Sequence, residues 1–157
     1  MRKLANSNVD VVVVGYARSS LNIRTERNES PTESSTRALS EMMKVLNRSG
    51  KTVIAIRDNP IPGKNLATCL RVKQSNVHDC DMKRQDIVKS PDPMELAALK
   101  NKEVVLADFT NYFCGVEICP ALIGGIYPYL DDDHVVRTYV MTLTPVWETL
   151  FQQALMN

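Results

Sequence analysis

A run of β-branched residues near the amino terminus, Val9-Asp10-Val11-Val12-Val13-Val14-Gly15, restricts the possible folds more than any other stretch. A short apolar run that ends at glycine is typical of a strand buried on both faces of a parallel sheet. Residues 52–57 and 103–108 contain two further apolar runs of this kind. We therefore expect parallel strands near residues 10–15, 52–57 and 103–107.

Helix start signals lie between these runs. Ser30-Pro31-Thr32-Glu33 is a capping box with proline at the first helical position, and Asp92 followed by Pro93 is a second helix start. Strands that alternate with capped amphipathic helices predict an α/β fold, a three-layer α/β/α sandwich around a parallel sheet. Residues 64–81 have little apolar periodicity, and we expect a loop there.

The length and charge of the chain limit the classes of partner. The 157 residues, 44% hydrophobic and 24% charged, are enough for one domain spanning residues 1–157 with a sizeable core. Lysine and arginine number 19 against 18 acidic residues, so the net charge is +1. This balance gives no electrostatic reason to expect nucleic acid or an anionic membrane surface as a partner.

The four cysteines fall into two short-range pairs, Cys69 with Cys80 and Cys114 with Cys119. Each pair lies in a stretch that glycine, proline, asparagine and aspartate mark as a loop, and the spacing favours two disulfides. Zinc is the alternative, but the sequence contains no C-x-x-C motif, and His78 is the only histidine near a cysteine pair.

Disulfides are typical of exported proteins, yet an export signal is not apparent. No stretch approaches the roughly 18 apolar residues that span a bilayer, and residues 1–8 lack the apolar centre of a signal peptide. We therefore expect this sequence to be the carboxyl-terminal part of a longer protein.

The stretch Tyr129-Leu130-Asp131-Asp132-Asp133-His134 places a carboxylate and a base three residues apart, just before an apolar helix. A carboxylate that holds the Nδ1 proton of a histidine sets its tautomer and stabilises the imidazolium formed when the ring accepts a proton. Asp131 and His134 are therefore the candidate orienting residue and general base. The alternative is that the aspartates cap the following helix and His134 is a surface residue.

The loop after the first strand is a second candidate region. Residues 16–29 are rich in arginine, serine and asparagine and follow the carboxyl end of the strand, where open α/β sheets bind ligands. Arg18 and Ser19 are candidates to face a substrate, although such loop residues are more often solvated.

Two sets of residues carry a resemblance to a known family. The first is Asp108-Phe109-Thr110, Phe113-Cys114, Cys119-Pro120, Gly124, Tyr129 to His134, Thr138-Tyr139 and Leu143-Thr144-Pro145; the second is Gly50-Lys51-Thr52-Val53, Arg57 to Pro62, and the pair Cys69 and Cys80. Together they resemble the SGNH domain of bacterial acyltransferases, a serine esterase-like domain fused to a multi-spanning membrane acyltransferase. The last block of that family is an aspartate and a histidine three residues apart, which Asp131 and His134 match.

The resemblance implies an extracytoplasmic domain that moves an acyl group, acetyl above all, to or from cell-envelope glycans without a cofactor or metal. An acyl donor, a glycan acceptor and an upstream membrane acyltransferase domain would be its partners. The family serine lies in a Gly-Asp-Ser motif, and this sequence contains neither Gly-Asp-Ser nor Gly-x-Asn-Asp. We therefore assign no nucleophile, and the alternative is an inactive SGNH-like module that binds a carbohydrate or a partner protein.

Overall fold

The structure is a computed structural model that describes residues 2–17, 25, 28–63, 65–73 and 76–156. Arg18 and Ser19 lie outside the described residues. The described helices are α1 (Arg2–Ala5), α2 (Pro31–Arg48), α3 (Asn65–Val72), α4 (Arg84–Ile87), α5 (Pro93–Leu99), α6 (Thr110–Phe113), α7 (Arg137–Thr142) and α8 (Thr144–Met156), with a 3-10 helix at Val77–Cys80. The described strands are β1 (Val11–Val14), β2 (Thr52–Ile56), β3 (Met82–Lys83), β4 (Val104–Ala107) and β5 (Ile118–Cys119).

The described residues group into two compact units, which we call the first and second units. The first unit contains residues 1–58, 91–108 and 149–157, and the second contains residues 59–90 and 109–148. None of the described helices combines the length and the apolar character needed to cross a membrane.

A parallel three-stranded sheet lies in the first unit, in the order β1-β2-β4. Val11 is opposite Thr52 in the first pair of strands, and Val53 is opposite Val104 in the second. The prediction of an α/β fold with three parallel strands is confirmed. Each strand is one or two residues shorter than the range expected from its apolar run.

Helices α2 and α5 pack on this sheet, and their starts follow the predicted capping chemistry. Ser30 and Glu33 form the reciprocal capping box of α2. Asp92 is buried, and its Oδ1 accepts the N–H groups of Met94 at 2.9 Å and Glu95 at 3.0 Å. The core between helices and sheet consists of Val12, Met43, Leu46, Val53, Ala55, Met94, Ala97 and Ala98.

The prediction of a loop at residues 64–81 was wrong. Helix α3 and the 3-10 helix occupy much of this stretch. Leu66 is buried, whereas Val72 near the end of α3 is 71% exposed. A helix that buries so little of itself leaves no apolar stripe in the sequence. The disulfide between Cys69 and Cys80 instead joins it to the 3-10 helix.

Candidate active site

The candidate residues lie in a closed turn of the second unit, between Tyr129 and Val135. These two residues form an antiparallel bridge. One residue further into the turn on each side, the Leu130 N–H donates to the His134 carbonyl at 2.8 Å. Two β-branched residues, Val135 and Val136, follow the histidine, and helix α7 begins only at Arg137. The turn is therefore fixed by its own backbone pairing before the helix starts.

The Asp131 carboxylate contacts both the ring and the backbone of the turn. His134 Nδ1 lies 2.9 Å from Asp131 Oδ2 and 3.0 Å from Oδ1. Oδ1 also accepts the N–H groups of Asp133 at 3.1 Å and of His134 at 2.8 Å. The N-cap residue of α7 is Val136, which makes no side-chain capping bond. Asp131 therefore bonds to the turn and does not cap the helix.

Asp133 is a second carboxylate at the same ring nitrogen. Its Oδ1 lies 3.0 Å from His134 Nδ1. The sequence pattern indicates Asp131 alone, because only the three-residue spacing predicts a contact between a carboxylate and the His134 ring. The only sequence signal for Asp133 is that it directly precedes His134. A neighbouring side chain reaches the ring only when the turn bends back on itself.

Hydrogen bonds and charge shift the pKa values of both members of the pair. The N–H groups of His134 and Asp133 stabilise the carboxylate and lower the pKa of Asp131 to about 2. The hydrogen bond to Asp131, followed by the negative charges of Asp131 and Asp133, raises the pKa of His134 above its ordinary value. The ring is thus a stronger base than a free histidine.

The other ring nitrogen of His134 is available for chemistry. The side chain is 74% exposed, and no described residue is hydrogen-bonded to Nε2. Because the carboxylates hold the proton on Nδ1, the neutral ring carries its lone pair on Nε2. Such a nitrogen can accept a proton from an approaching hydroxyl.

The same side chains also have the composition of a cation site. Asp131, Asp133 and His134 each place one possible ligand atom within 4.8 Å of the others. Binding of a cation through Nδ1 would require that nitrogen to give up its proton. Base chemistry at Nε2 with a protonated Nδ1 and cation binding at Nδ1 therefore exclude each other.

Buried aromatic side chains support the start of the turn. Tyr129 is 7% exposed, and its ring centroid lies 5.7 Å from that of Phe113. Phe113 in turn meets Tyr139 of α7 with a centroid separation of 5.1 Å. Burial raises the pKa of Tyr129, so its hydroxyl stays protonated and acts as a donor.

Both cysteine pairs form disulfides, with Cα separations of 5.7 Å for Cys69–Cys80 and 3.9 Å for Cys114–Cys119. No cysteine is free among the described residues. A zinc site built on these cysteines is therefore excluded, since a cysteine binds zinc only as a thiolate.

A second histidine–aspartate pair lies elsewhere in the second unit. His78 Nδ1 is 3.3 Å from Asp81 Oδ2, again at a three-residue spacing, and the His78 side chain is 77% exposed. Asp81 also accepts the Ala121 N–H at 2.8 Å. Sequence reasoning overlooked this pair because the carboxylate follows the histidine and no apolar helix comes next.

Comparison with known families identifies one match. The family model described as the SGNH domain (fused to AT3 domains) matches residues 1–149. Neither a curated protein nor a solved structure matches the chain.

Proposed function

This chain belongs to the family of SGNH domains fused to AT3 domains, and we propose that His134 is the general base of its acyl-transfer site, with Asp131 as its orienting carboxylate. Membership makes the chain a hydrolase- or acyltransferase-like module with a membrane acyltransferase domain as its partner domain. The proposal adds the reaction, which is transfer of an acyl group, acetyl in the first instance, to a cell-envelope glycan hydroxyl.

One observation carries this proposal: Asp131 holds His134 at Nδ1, while Nε2 has no hydrogen-bond partner among the described residues. That arrangement leaves a lone pair where a substrate can approach. A surface histidine that served only solubility would need neither the fixed carboxylate nor the raised pKa.

The residues of the pair divide the work of proton transfer. As an acyl group is taken up, the nucleophilic serine loses its hydroxyl proton to Nε2 while its oxygen attacks the acyl carbonyl, and Nε2 then gives this proton to the leaving group of the acyl donor. In the transfer step, the glycan hydroxyl loses its proton to Nε2 as its oxygen attacks the acyl carbonyl, and the serine oxygen leaves and takes up that proton. Asp131 keeps Nδ1 protonated throughout and offsets the positive charge that forms on the ring.

The nucleophile in this proposal is supplied by a segment other than these 157 residues. They contain no Gly-Asp-Ser motif, and a base alone cannot form an acyl-enzyme. The two disulfides support an extracytoplasmic location, where such bonds persist. The glycan acceptor would meet the domain on that side of the membrane.

The missing motif also favours a second candidate function. Without a nucleophile, the chain would be an inactive SGNH-like module that binds a carbohydrate or a partner protein. A reading of the coding DNA upstream of Met1 for an in-frame Gly-Asp-Ser separates the two, since only the enzyme requires that motif.

The decisive experiment compares two histidine variants in the complete protein that carries the acyltransferase domain. His134→Ala should reduce acyl transfer by about 10²- to 10⁴-fold, the range expected for loss of a general base. His78→Ala is the matched control, because His78 is similarly exposed and also pairs with an aspartate. Equal retention of transfer in both variants would rule out a catalytic role for His134.

A further inference from the structure

Two successive peptide planes connect Asp132, Asp133 and His134. The first plane carries the Asp132 carbonyl and the Asp133 N–H, and the second carries the Asp133 carbonyl and the His134 N–H. In a trans peptide, the carbonyl and the N–H of one plane point in opposite directions. Since both N–H groups donate to Asp131 Oδ1, both carbonyls point away from Asp131.

A separate stretch of the second unit binds these two carbonyls. We call Asn59-Pro60-Ile61-Pro62-Gly63 the anchoring segment. The Gly63 N–H donates to the Asp132 carbonyl at 3.0 Å, and Asn59 Nδ2 lies 3.4 Å from the Asp133 carbonyl oxygen. The segment thus contacts each plane on the side opposite to Asp131.

The anchoring segment is itself tied down at its centre. The buried Tyr129 hydroxyl donates to the Pro60 carbonyl at 2.8 Å. The Ile61 N–H donates to the Ile87 carbonyl at 3.0 Å. A segment fixed at two successive residues can hold the turn in one orientation.

We infer that Gly63 and Asn59 are positioning residues, which hold the two carbonyls and so direct the N–H groups of the same planes onto the Asp131 carboxylate. These N–H groups then fix the Asp131 carboxylate, whose oxygens lie next to His134 Nδ1. The functional meaning of this inference rests on the proposed role of Asp131 and His134. The hydrogen bonds that lower the pKa of Asp131 are the ones that the anchoring segment aligns.

Gly63 makes the inference testable with a single methyl group. Its φ is +77°, in the left-handed region that side chains disfavour, and an added Cβ would meet nothing within 4 Å. Gly63→Ala therefore strains the backbone without a clash, and it should rotate the N–H away from Asp132. Gly63→Asn should preserve the contact, because asparagine tolerates this conformation.

Gly50 provides a matched control in the first unit. Its φ is +74°, and an added Cβ would again meet nothing within 4 Å. Gly50→Ala therefore imposes a similar backbone strain at the end of α2, where no contact with the turn is involved.

The test is an NMR titration of the 157-residue chain in a His78→Ala background, which leaves His134 as the only imidazole. Gly63→Ala should lower the pKa of His134 and raise that of Asp131, while Gly63→Asn and Gly50→Ala should leave both near the parent values. Unchanged values in Gly63→Ala, or equal changes in Gly63→Ala and Gly50→Ala, would overturn the inference.

Asn59→Ala tests the second plane without backbone strain and serves if Gly63→Ala fails to fold. The same direction of change is expected, and no change would remove Asn59 from the positioning role. Acyl transfer in the complete protein separates this inference from the proposed function. Retained transfer in His134→Ala beside a shifted titration in Gly63→Ala would overturn the function alone. Lost transfer beside an unshifted titration would overturn the positioning alone.

Discussion

Two carboxylates lie close to the same ring nitrogen of His134 in the closed turn. Asp131 and Asp133 approach Nδ1 to 2.9 Å and 3.0 Å, but that nitrogen carries a single proton. Asp131 is fixed by two backbone N–H groups and accepts the bond, so Asp133 acts mainly through its charge. Asp132 lies between them and contributes its backbone carbonyl to the Gly63 contact.

Asparagine substitutions should separate these three roles. We expect Asp131→Asn to lower the pKa of His134 most, because it removes both a hydrogen bond and a charge, and Asp133→Asn to lower it less. Asp132→Asn is the control and should leave the His134 pKa unchanged. Histidine NMR titration in the His78→Ala background measures all three. Equal effects of the three substitutions would mean that the ring senses only the net charge of the turn.

The direction of the pH dependence follows from the raised pKa of His134. A general base works in its neutral form, so acyl transfer should rise with pH through a pKa above 6.5. Asp133→Asn should move this rise to lower pH.

The contribution of His134 to stability depends on pH in the opposite direction. A histidine with a raised pKa stabilises the fold below the unfolded pKa, and this contribution is lost as pH rises through the folded pKa. The Asp131 contribution is present above its unfolded pKa and lost as pH falls toward about 2.

The sequence predicts the contact between Asp131 and His134 from their spacing, but it does not predict the residues that hold the turn in place. Asn59 is 74 residues away from Asp133 along the chain, and nothing in the two stretches indicates that they meet. The contact depends on how two loops meet, which local patterns do not encode. The mutual orientation of peptide planes is likewise a property of the folded backbone.

Among the elements, α5 illustrates how one buried cap can define a helix start. Asp92 is 2% exposed and accepts two backbone N–H groups, whereas Ser30 at the start of α2 is exposed and has a reciprocal partner in Glu33. Loss of a buried acceptor leaves its donors without water to replace it. The two caps should therefore differ in how much they stabilise the fold.

Asp92→Ala should lower the free energy of unfolding by about 2 kcal/mol and Ser30→Ala by about 1 kcal/mol. Asp92→Asn is the conservative control, because asparagine also accepts these bonds and should retain most of the stability. Urea denaturation followed by circular dichroism gives all three values. A Ser30→Ala effect as large as that of Asp92→Ala would show that burial of the cap does not set its contribution.

The elements that were predicted correctly are those with a strong local cause. The strands come from uninterrupted apolar runs, and α2 and α5 come from caps with proline in the first turn. Helix α3 was missed because a disulfide and one buried leucine, Leu66, hold it, and neither produces a periodic pattern. The apolar helix expected directly after His134 starts only at Arg137, since Val135 pairs with Tyr129 in the turn.

The chain contains the proposed base and orienting carboxylate but no Gly-Asp-Ser motif for a nucleophile. The purified 157-residue chain should therefore show negligible esterase activity on small acetyl esters. Hydrolysis of a chromogenic acetyl ester, compared with that by the His134→Ala variant, measures this. Sustained turnover that Ser19→Ala abolishes would make Ser19 the nucleophile, and turnover that survives it would require another.

The two disulfides have a consequence for how this chain matures. They join residues only 11 and 5 positions apart, although four cysteines permit three pairings. Each of the other pairings would close loops several times longer, and closing a longer loop costs more chain entropy. Chain entropy therefore favours the native partners before the sheet has assembled. Oxidative folding should proceed with few scrambled intermediates and little dependence on a disulfide isomerase.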